Sequence, residues 1–229
     1  MDRLIEFDHQ LLLALNGSDS VWLDQVMMYV TRTATWIPLI LALLVVLLRL
    51  RPWREVLLAV VGLALVVLLC DQFASSLCKP LFERYRPSHE PRLLGLVDLV
   101  GGRRGGLYGF ISSHAANTFG AFMFVTLYLR RFIKRRLLVV LSSASVLLWA
   151  CLSSYSRIYL GLHYPGDILF GSLSGLLIGW LVFRLFIRVG NRLLNHREEQ
   201  SIVGLRELSP LLLPITFLLT LVSLSLLAL

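Results

Sequence analysis

Residues 56–78 read VLLAVVGLALVVLLCDQFASSLC, a run of 23 residues that carries a single charged side chain, Asp71. A helix of about 20 apolar residues is long enough to cross a hydrocarbon core of about 30 Å. The whole chain shares this character, since 57% of its 229 residues are hydrophobic and only 16% are charged, against roughly 25% charged in soluble domains. The sequence therefore predicts an integral membrane protein and excludes a cytosolic enzyme, a secreted disulfide scaffold and a disordered chain.

Five further apolar stretches surround this run, and together they predict an all-α, polytopic bundle of six transmembrane helices. The third of the six stretches, Gly105–Leu129, is expected to begin its helix near His114 rather than at Gly105. We interpret residues 1–229 as one integral-membrane domain. The six predicted spans are Thr33–Leu48, Val56–Cys78, Gly105–Leu129, Leu137–Ser156, Ile168–Phe183 and Leu208–Leu229.

The N-terminal segment, residues 2–16, is too short and too charged to be a further span. We predict that it forms a helix lying in the membrane interface, because apolar side chains fall on roughly one of its faces. That face carries Leu4, Ile5, Leu11, Leu12 and Leu15.

The distribution of charge predicts an orientation. The connections after spans one, three and five hold 13 of the 22 basic residues but only 4 of the 14 acidic residues, so they carry a net charge of +9 and the rest of the chain −1. Basic residues concentrate in cytoplasmic connections, so both termini and the other connections are expected to face outwards. This asymmetry accounts for the net charge of +8 without a nucleic-acid partner. The 13 residues are Arg49, Arg51, Arg54, Arg130, Arg131, Lys134, Arg135, Arg136, Arg184, Arg188, Arg192, Arg197 and Arg206.

Two kinds of residue within the spans call for a structural interpretation. Cys70, Cys78 and Cys151 lie in apolar stretches without metal-ligand spacing, so we interpret them as buried small hydrophobes rather than as a disulfide framework or a zinc site. Asp71 is expected to pair with a basic residue of the bundle, and a proton or substrate role is the alternative.

Polar and ionisable residues concentrate in the outward connections after spans two and four. Such groups are costly at the edge of a bilayer, so a cluster of them is a functional candidate. Cationic side chains, hydroxyls and a helix N-terminus together suit a phosphate anion. The cluster comprises Lys79, Arg86, Ser112, Ser113, His114, Arg157, His163 and Asp167.

The spacing of these residues resembles the three-part signature of the type 2 phosphatidic acid phosphatase family, which includes integral-membrane lipid phosphatases, glucose-6-phosphatase and soluble vanadium haloperoxidases. The resemblance covers residues 79–167. In the middle motif, Ile111 and Ser113 stand where the family usually has proline and glycine. The matching motifs are Lys79-x6-Arg86-Pro87, Ser112-x-His114 and Ser156-Arg157-x5-His163-x3-Asp167.

The resemblance implies a role for each residue of the cluster. His163 would be the nucleophile that becomes phosphohistidine, and a neutral imidazole is competent for this near pH 7. Asp167 would hold its other ring nitrogen, and His114 would be the general acid and then the general base. No cofactor and no metal is expected, since the cations stabilise the transition state. The groups expected to bind phosphate are the side chains of Lys79, Arg86, Arg157 and Ser112 and the backbone amide of Ser113. The Ser113 hydroxyl is an alternative to the Ser112 hydroxyl.

The resemblance also implies a function: a metal-independent phosphatase of the bacterial inner membrane whose site faces outwards, to the periplasm. Its substrate would be a phosphate ester or pyrophosphate of an envelope lipid. Lipid A (1- or 4′-phosphate) is favoured by the overall resemblance of the Leu15-Asn-Gly…Trp36-Ile-Pro segment to envelope phosphatases. Undecaprenyl pyrophosphate and phosphatidylglycerol phosphate are the alternatives, followed by a lipid phosphotransferase and a non-catalytic lipid or anion transporter.

Overall fold

The computed structural model describes residues 2–193 and 205–229, and within those ranges the chain is helical, with no strand beyond one isolated bridge between Tyr85 and Tyr108. The predicted all-α class is therefore confirmed. Arg197, Glu198 and Glu199, which entered the charge assignment, lie outside the described residues, as do the side chains of Arg206 and Glu207. The helices are α1 Asp2–Leu15, α2 Val21–Val30, α3 Ile37–Leu50, α4 Trp53–Asp71, α5 Lys79–Phe82, α6 Ser113–Phe132, α7 Arg136–Tyr159, α8 Pro165–Leu193 and α9 Leu212–Leu227.

Five helical segments in the described residues are long and apolar enough to cross a membrane. They correspond to five of the six predicted spans: Thr33–Leu50, Trp53–Phe82, Arg136–Tyr159, Pro165–Arg192 and Leu208–Leu227.

The remaining predicted span, the third (Gly105–Leu129), corresponds to α6, which has 20 residues but is not among these five. It starts at Ser113 rather than Gly105, as its polar N-terminal residues suggested. The mean hydropathy of α6 is lower than that of the other five segments because α6 carries His114 and Asn117 at one end and Arg130 and Arg131 at the other. Polar residues are tolerated here because α6 packs against α4, α7 and α8.

A stripe of glycines brings α8 into backbone contact with α6. Gly171, Gly175 and Gly179 recur at intervals of four residues, which places them on one face of the helix. A Cβ atom at Gly171 would lie 2.6 Å from the Ser112 carbonyl oxygen, and one at Gly175 would collide with the Ala116 carbonyl oxygen. Small residues at this spacing let membrane helices approach closely. The stripe therefore holds the N-terminal ends of α6 and α8 side by side, and both ends carry predicted site residues.

Helix α4 continues into α5 through a widened turn. Residues Gln72–Cys78 form a π-helical segment, so α4, this segment and α5 make one rod over Trp53–Phe82. Glu83 ends the rod in the left-handed conformation, with φ of 44°. Lys79 is the first residue of α5 and lies near the C-terminal end of this continuous helical segment.

The N-terminal segment forms a helix as predicted, and the chain adds a second helix that the sequence analysis missed. Leu12 of α1 is fully buried with Tyr164, whereas Leu4 is 75% exposed, so the predicted apolar face is only partly correct. Helix α2 follows directly, and the Ser20 side chain caps it by accepting a hydrogen bond from the Leu23 amide. A serine before an apolar segment is a helix-start signal that could have revealed it.

Two predictions about residues within the spans need correction. Cys70 and Cys78 are buried, but Cys151 is exposed, because apolar residues of a membrane helix can also face lipid. Asp71 interacts electrostatically with Lys79, but no cation among the described residues forms a direct ion pair with it. Its carboxylate instead accepts a hydrogen bond of 3.4 Å from Ser75, whose hydroxyl accepts one of 3.0 Å from Lys79 Nζ.

Candidate active site

The tight connection between α7 and α8 positions His163. The amide of His163 donates to the Arg157 carbonyl at 3.2 Å, and Gly161 turns the chain with φ of 68°. Helix α8 then begins at Pro165, and its first turn brings the Asp167 carboxylate back over the connection. The turn into α8, which Pro165-Gly166 indicated in the sequence, leaves His163 only 2% exposed and buries Asp167 completely.

The hydrogen bonds of His163 fix which ring nitrogen is free to react. Nε2 lies 3.0 Å from Arg86 Nη1, and Nδ1 lies 3.2 Å from Asp167 Oδ2. A guanidinium can only donate, so Nε2 must accept and the ring proton must sit on Nδ1, where it is donated to the carboxylate. The lone pair of Nε2 therefore faces the cation that would hold a phosphate oxygen.

Burial and neighbouring cations keep His163 uncharged. Burial is the largest cause that lowers its pKa well below the ordinary value of 6.5, and the charges of Arg86, Arg157 and Lys79 lower that pKa further. The imidazole is therefore neutral at pH 7, as a nucleophile must be.

Arg86 is held by a short backbone pairing at the rim of the site. Its amide donates to the Leu107 carbonyl at 3.0 Å, and Nε donates to the Tyr108 carbonyl at 3.2 Å. Gly109 leaves room for this arrangement, because a Cβ there would lie 3.1 Å from both Arg86 Cγ and Asp167 Oδ2. The guanidinium is thus oriented before any substrate arrives.

The two serines of the middle motif have different partners. The Ser112 hydroxyl caps α6 by accepting a hydrogen bond of 3.4 Å from the Ala115 amide, and its own amide donates to the Asp167 carbonyl at 3.1 Å. The Ser113 hydroxyl instead accepts a hydrogen bond of 2.9 Å from Lys79 Nζ. Ser113, which replaces the family glycine, is therefore the hydroxyl that contacts the cation, while Ser112 organises the helix end.

His114 and Arg157 complete the cluster. Arg157 donates from Nη1 to the Thr31 hydroxyl at 2.7 Å, and its Nε is buried with no hydrogen-bond partner in the described part of the chain. An unpaired buried donor is costly, and an anionic ligand would satisfy it. His114 makes no side-chain hydrogen bond to any described residue, and it interacts electrostatically with Arg157 and His163.

The structure also shows two residues that the sequence analysis missed. Arg84 donates to Asp167 Oδ1 at 3.0 Å and to Asp8 Oδ2 at 2.6 Å, and its guanidinium lies 4.0 Å from the centre of the Tyr164 ring. Asp8 also accepts a hydrogen bond of 2.8 Å from the Gly166 amide. An Arg two positions before Arg86 was visible in the first motif, but nothing in the sequence linked it to the N-terminal helix.

The arrangement brings Lys79, Arg86 and Arg157 close enough to His163 to interact with it electrostatically, and His114 interacts in the same way with Arg157 and His163. Among residues 2–193 and 205–229, no group of three or more His, Cys, Asp or Glu side chains is arranged to hold a metal ion. The geometry therefore provides charge stabilisation for a phosphate through Lys79, Arg86 and Arg157.

Comparison with known sequences gives a consistent result. The model of the PAP2 superfamily matches residues 55–190. A protein of Bacteroides thetaiotaomicron named lipid A 4′-phosphatase is 40% identical over 194 residues, which cover 84% of this chain and 83% of that protein. A protein of Porphyromonas gingivalis with the same name is 35% identical over 195 residues, which cover 85% of this chain and 79% of that protein.

One solved structure has a similar fold. It is a transmembrane PAP2 type phosphatidylglycerolphosphate phosphatase from Bacillus subtilis, and the match has a TM-score of 0.58 at 22% sequence identity. The aligned region covers 86% of this chain and 90% of that structure. At this identity the likeness shows a shared fold.

Proposed function

The chain belongs to the PAP2 superfamily, and from that membership we propose that it is a membrane lipid phosphatase that removes the 4′-phosphate of lipid A. From the sequence alone, both the 1-phosphate and the 4′-phosphate of lipid A were candidate substrates. Two relatives named lipid A 4′-phosphatase, each aligned over more than four fifths of this chain, favour the 4′ position.

The observation that carries the proposal is the fixed tautomer of His163, whose Nε2 accepts from Arg86 while Nδ1 donates to Asp167. In the first step the Nε2 lone pair attacks phosphorus, and the bond between phosphorus and the 4′ oxygen of the sugar breaks. The proton on His114 goes to the departing oxygen. The Asp167 carboxylate stabilises the positive charge that develops on the ring.

The second step releases the phosphate. A water molecule gives its proton to His114 and attacks phosphorus, and the bond between phosphorus and Nε2 of His163 breaks. The products are inorganic phosphate and the original neutral imidazole, so the cycle consumes one water molecule and no metal or other cofactor is needed.

The cations act on the oxygens that do not react. Lys79, Arg86 and Arg157 surround the phosphate, and the orphan Nε of Arg157 supplies a further donor. The Ser113 hydroxyl and the amides at the start of α6 add neutral donors. Donors oriented in advance in a site with little water stabilise the transition state strongly. Ser112 caps α6, so it would act on the phosphate indirectly, by orienting the backbone amides at the start of that helix.

We place the enzyme in the inner membrane, with the site and both termini on the periplasmic face. The excess of basic residues in the connections on the opposite side supports this orientation. The lipid phosphate would then reach the site from the outer leaflet, and neither nucleic acid nor metal would be a partner.

Phosphate release by purified protein in detergent tests the proposal. We expect the wild type, with EDTA present, to convert lipid A to a product lacking the 4′-phosphate, as read by mass spectrometry. His163→Ala should be inactive in the same assay. Release only from undecaprenyl pyrophosphate or phosphatidylglycerol phosphate would keep the phosphatase and replace its substrate.

A further inference from the structure

A large apolar cavity lies between the helices and adjoins the candidate active site, since His114 lines it. Its volume is about 610 Å³, and it is enclosed mainly by α3, α4, α6 and α7. Trp36 and Trp149 form part of its wall. Apart from His114, none of the proposed catalytic or phosphate-binding residues lines it.

The cavity changes character from its outer end to its inner end. The outer end is lined by residues with polar side chains, including Thr31, His114 and Asn117, whereas the inner end is lined by Leu47 and Val125. Helices α3 and α6 both run inwards from the site, so the polarity falls with depth. This gradient is that of a lipid, whose polar head continues into a hydrocarbon chain.

The outer end is continuous with the candidate active site. His114 lines the cavity and is the proposed general acid. Thr31 also lines it and accepts the hydrogen bond from Arg157. A phosphate held between His163 and Arg157 would therefore place the rest of its molecule at the mouth of the cavity.

The depth of the cavity matches one leaflet of a bilayer. The stretch of α6 from His114 to Val125 spans about 16 Å at the rise of an α-helix, and half of a hydrocarbon core is about 15 Å. Ile40 and Leu44 of α3 and Val67 of α4 line the cavity and are 49%, 37% and 44% exposed. The cavity is therefore accessible from the side where α3 and α4 meet, and a chain could enter it there from the membrane.

We propose that the cavity binds one acyl chain of the lipid whose phosphate reacts at His163. The inference rests on the proposed function and deepens it, because it makes the hydrocarbon chain part of what the enzyme recognises. An acyl-free sugar phosphate would contact only the cationic cluster, and a lipid would contact both.

Two variants that fill the cavity test this. Ala121 of α6 and Ala64 of α4 both line it, so Ala121→Phe and Ala64→Trp would occupy the space of the chain. Ala144 is exposed on α7 and does not line the cavity, so Ala144→Phe is the matched control. Hydrolysis is measured for lipid A and for glucosamine 4-phosphate, which has no acyl chain.

We expect both filling variants to lower kcat/KM for lipid A by about tenfold or more, since each displaced methylene loses its burial. Hydrolysis of glucosamine 4-phosphate should stay within about twofold of the wild type, and the control should change neither substrate. Equal losses on both substrates, or no loss on lipid A, would overturn the proposal.

Binding separates this inference from the proposed function. The His163→Ala protein is titrated with lipid A in detergent, with and without Ala121→Phe. Weaker binding in the double variant supports an acyl-chain site even where the wild type releases no phosphate, a result that would count against the proposed function alone. Equal affinity in both proteins would contradict the acyl-chain site.

Discussion

Asp167 connects His163, the proposed nucleophile, to Arg84 and through it to the N-terminal helix. Its two oxygens accept from His163, Arg84 and the Tyr164 amide, and it is completely buried. A buried carboxylate needs partners to stay charged. Its position therefore depends on Arg84, which in turn is held by Asp8.

The first prediction concerns the Asp167 carboxylate. Asp167→Asn keeps the shape but removes the charge that stabilises the ring of His163 during attack. We expect kcat for lipid A to fall by about 10² or more, with little change in lipid binding. Single-turnover kinetics and titration of lipid A into the variant measure the two effects, and an unchanged kcat would refute the role of Asp167.

The second prediction concerns Arg84. Arg84→Ala leaves a buried carboxylate without its cation, so we expect a loss of about 3 kcal/mol in the free energy of unfolding together with a lower kcat. Asp8→Asn removes only the charge that holds Arg84 and should lower the free energy of unfolding by about 1 kcal/mol. Thermal unfolding in detergent and steady-state kinetics measure both.

Arg92 provides the control for that comparison, because its ion pair with Glu90 is on the surface and its side chain is 65% exposed. Arg92→Ala should leave stability and kcat within error of the wild type. If Arg84→Ala behaved in the same way, the chain from Asp8 to His163 would have no positioning role.

The third prediction concerns Ser113. Its hydroxyl accepts from Lys79 Nζ at 2.9 Å, so Ser113→Ala releases the cation and should lower kcat/KM by about two- to tenfold. Ser113→Gly restores the residue usual in the family and removes the hydroxyl as well. Activity of the glycine variant above that of the alanine variant would show that backbone approach matters here, and wild-type activity in both variants would exclude a role for the hydroxyl.

The three motifs made the members of the cluster around His163 predictable, because each motif is local in the sequence; their catalytic roles remain predictions. The partners of Asp167 were not predictable, since Arg84 lies 76 residues from Asp8 and 83 residues from Asp167. A contact over such a separation depends on how α1 docks on the connections. Ser112 caps α6 and Ser113 contacts Lys79, and these different positions likewise depend on where α6 starts.

At the scale of helices, contact between α6 and α8 aligns the two halves of the site. Gly175 contacts the Ala116 carbonyl so closely that a Cβ atom cannot be accommodated without movement. The hydropathy of the sequence indicated the helices themselves, but it did not indicate which faces meet. A glycine at every fourth position of α8 was a signal for that face.

The fourth prediction follows from this contact. Gly175→Ala should push α8 away from α6, lowering the free energy of unfolding by about 1–3 kcal/mol and reducing activity by separating Asp167 from the start of α6. Gly190→Ala on the same helix is the control, because its Cβ would meet only Leu58 Cδ2 at 3.7 Å. Thermal unfolding and kcat of both variants are compared, and equal behaviour would contradict the role of the stripe.

At the scale of the whole molecule, charge and hydropathy together predict how the chain lies in the membrane. The fifth prediction is that a reporter fused after Leu229 is periplasmic and one fused after Lys134 is cytoplasmic, because the basic connections remain inside. Alkaline phosphatase, which is active only outside the cytoplasm, reports the two positions. The reverse pattern would move the site to the cytoplasmic face.

The fold class and five of the six spans could be predicted because apolar length alone distinguishes a membrane helix. The cavity could not be predicted, since Trp36, Ala64, Ala121 and Trp149 belong to four different helical segments. Each of these residues, taken alone, fits an ordinary packed bundle. Only the assembled helices show that they leave a space.

The most direct test of the account is to trap the intermediate. Lipid A carrying a radioactive 4′-phosphate is mixed with excess enzyme, the reaction is quenched within a turnover, and the labelled peptide is identified. We expect an acid-labile label on the peptide that contains His163, and no label in His163→Ala. Release of the 4′-phosphate without a covalent label, or with a label on another residue, would contradict it.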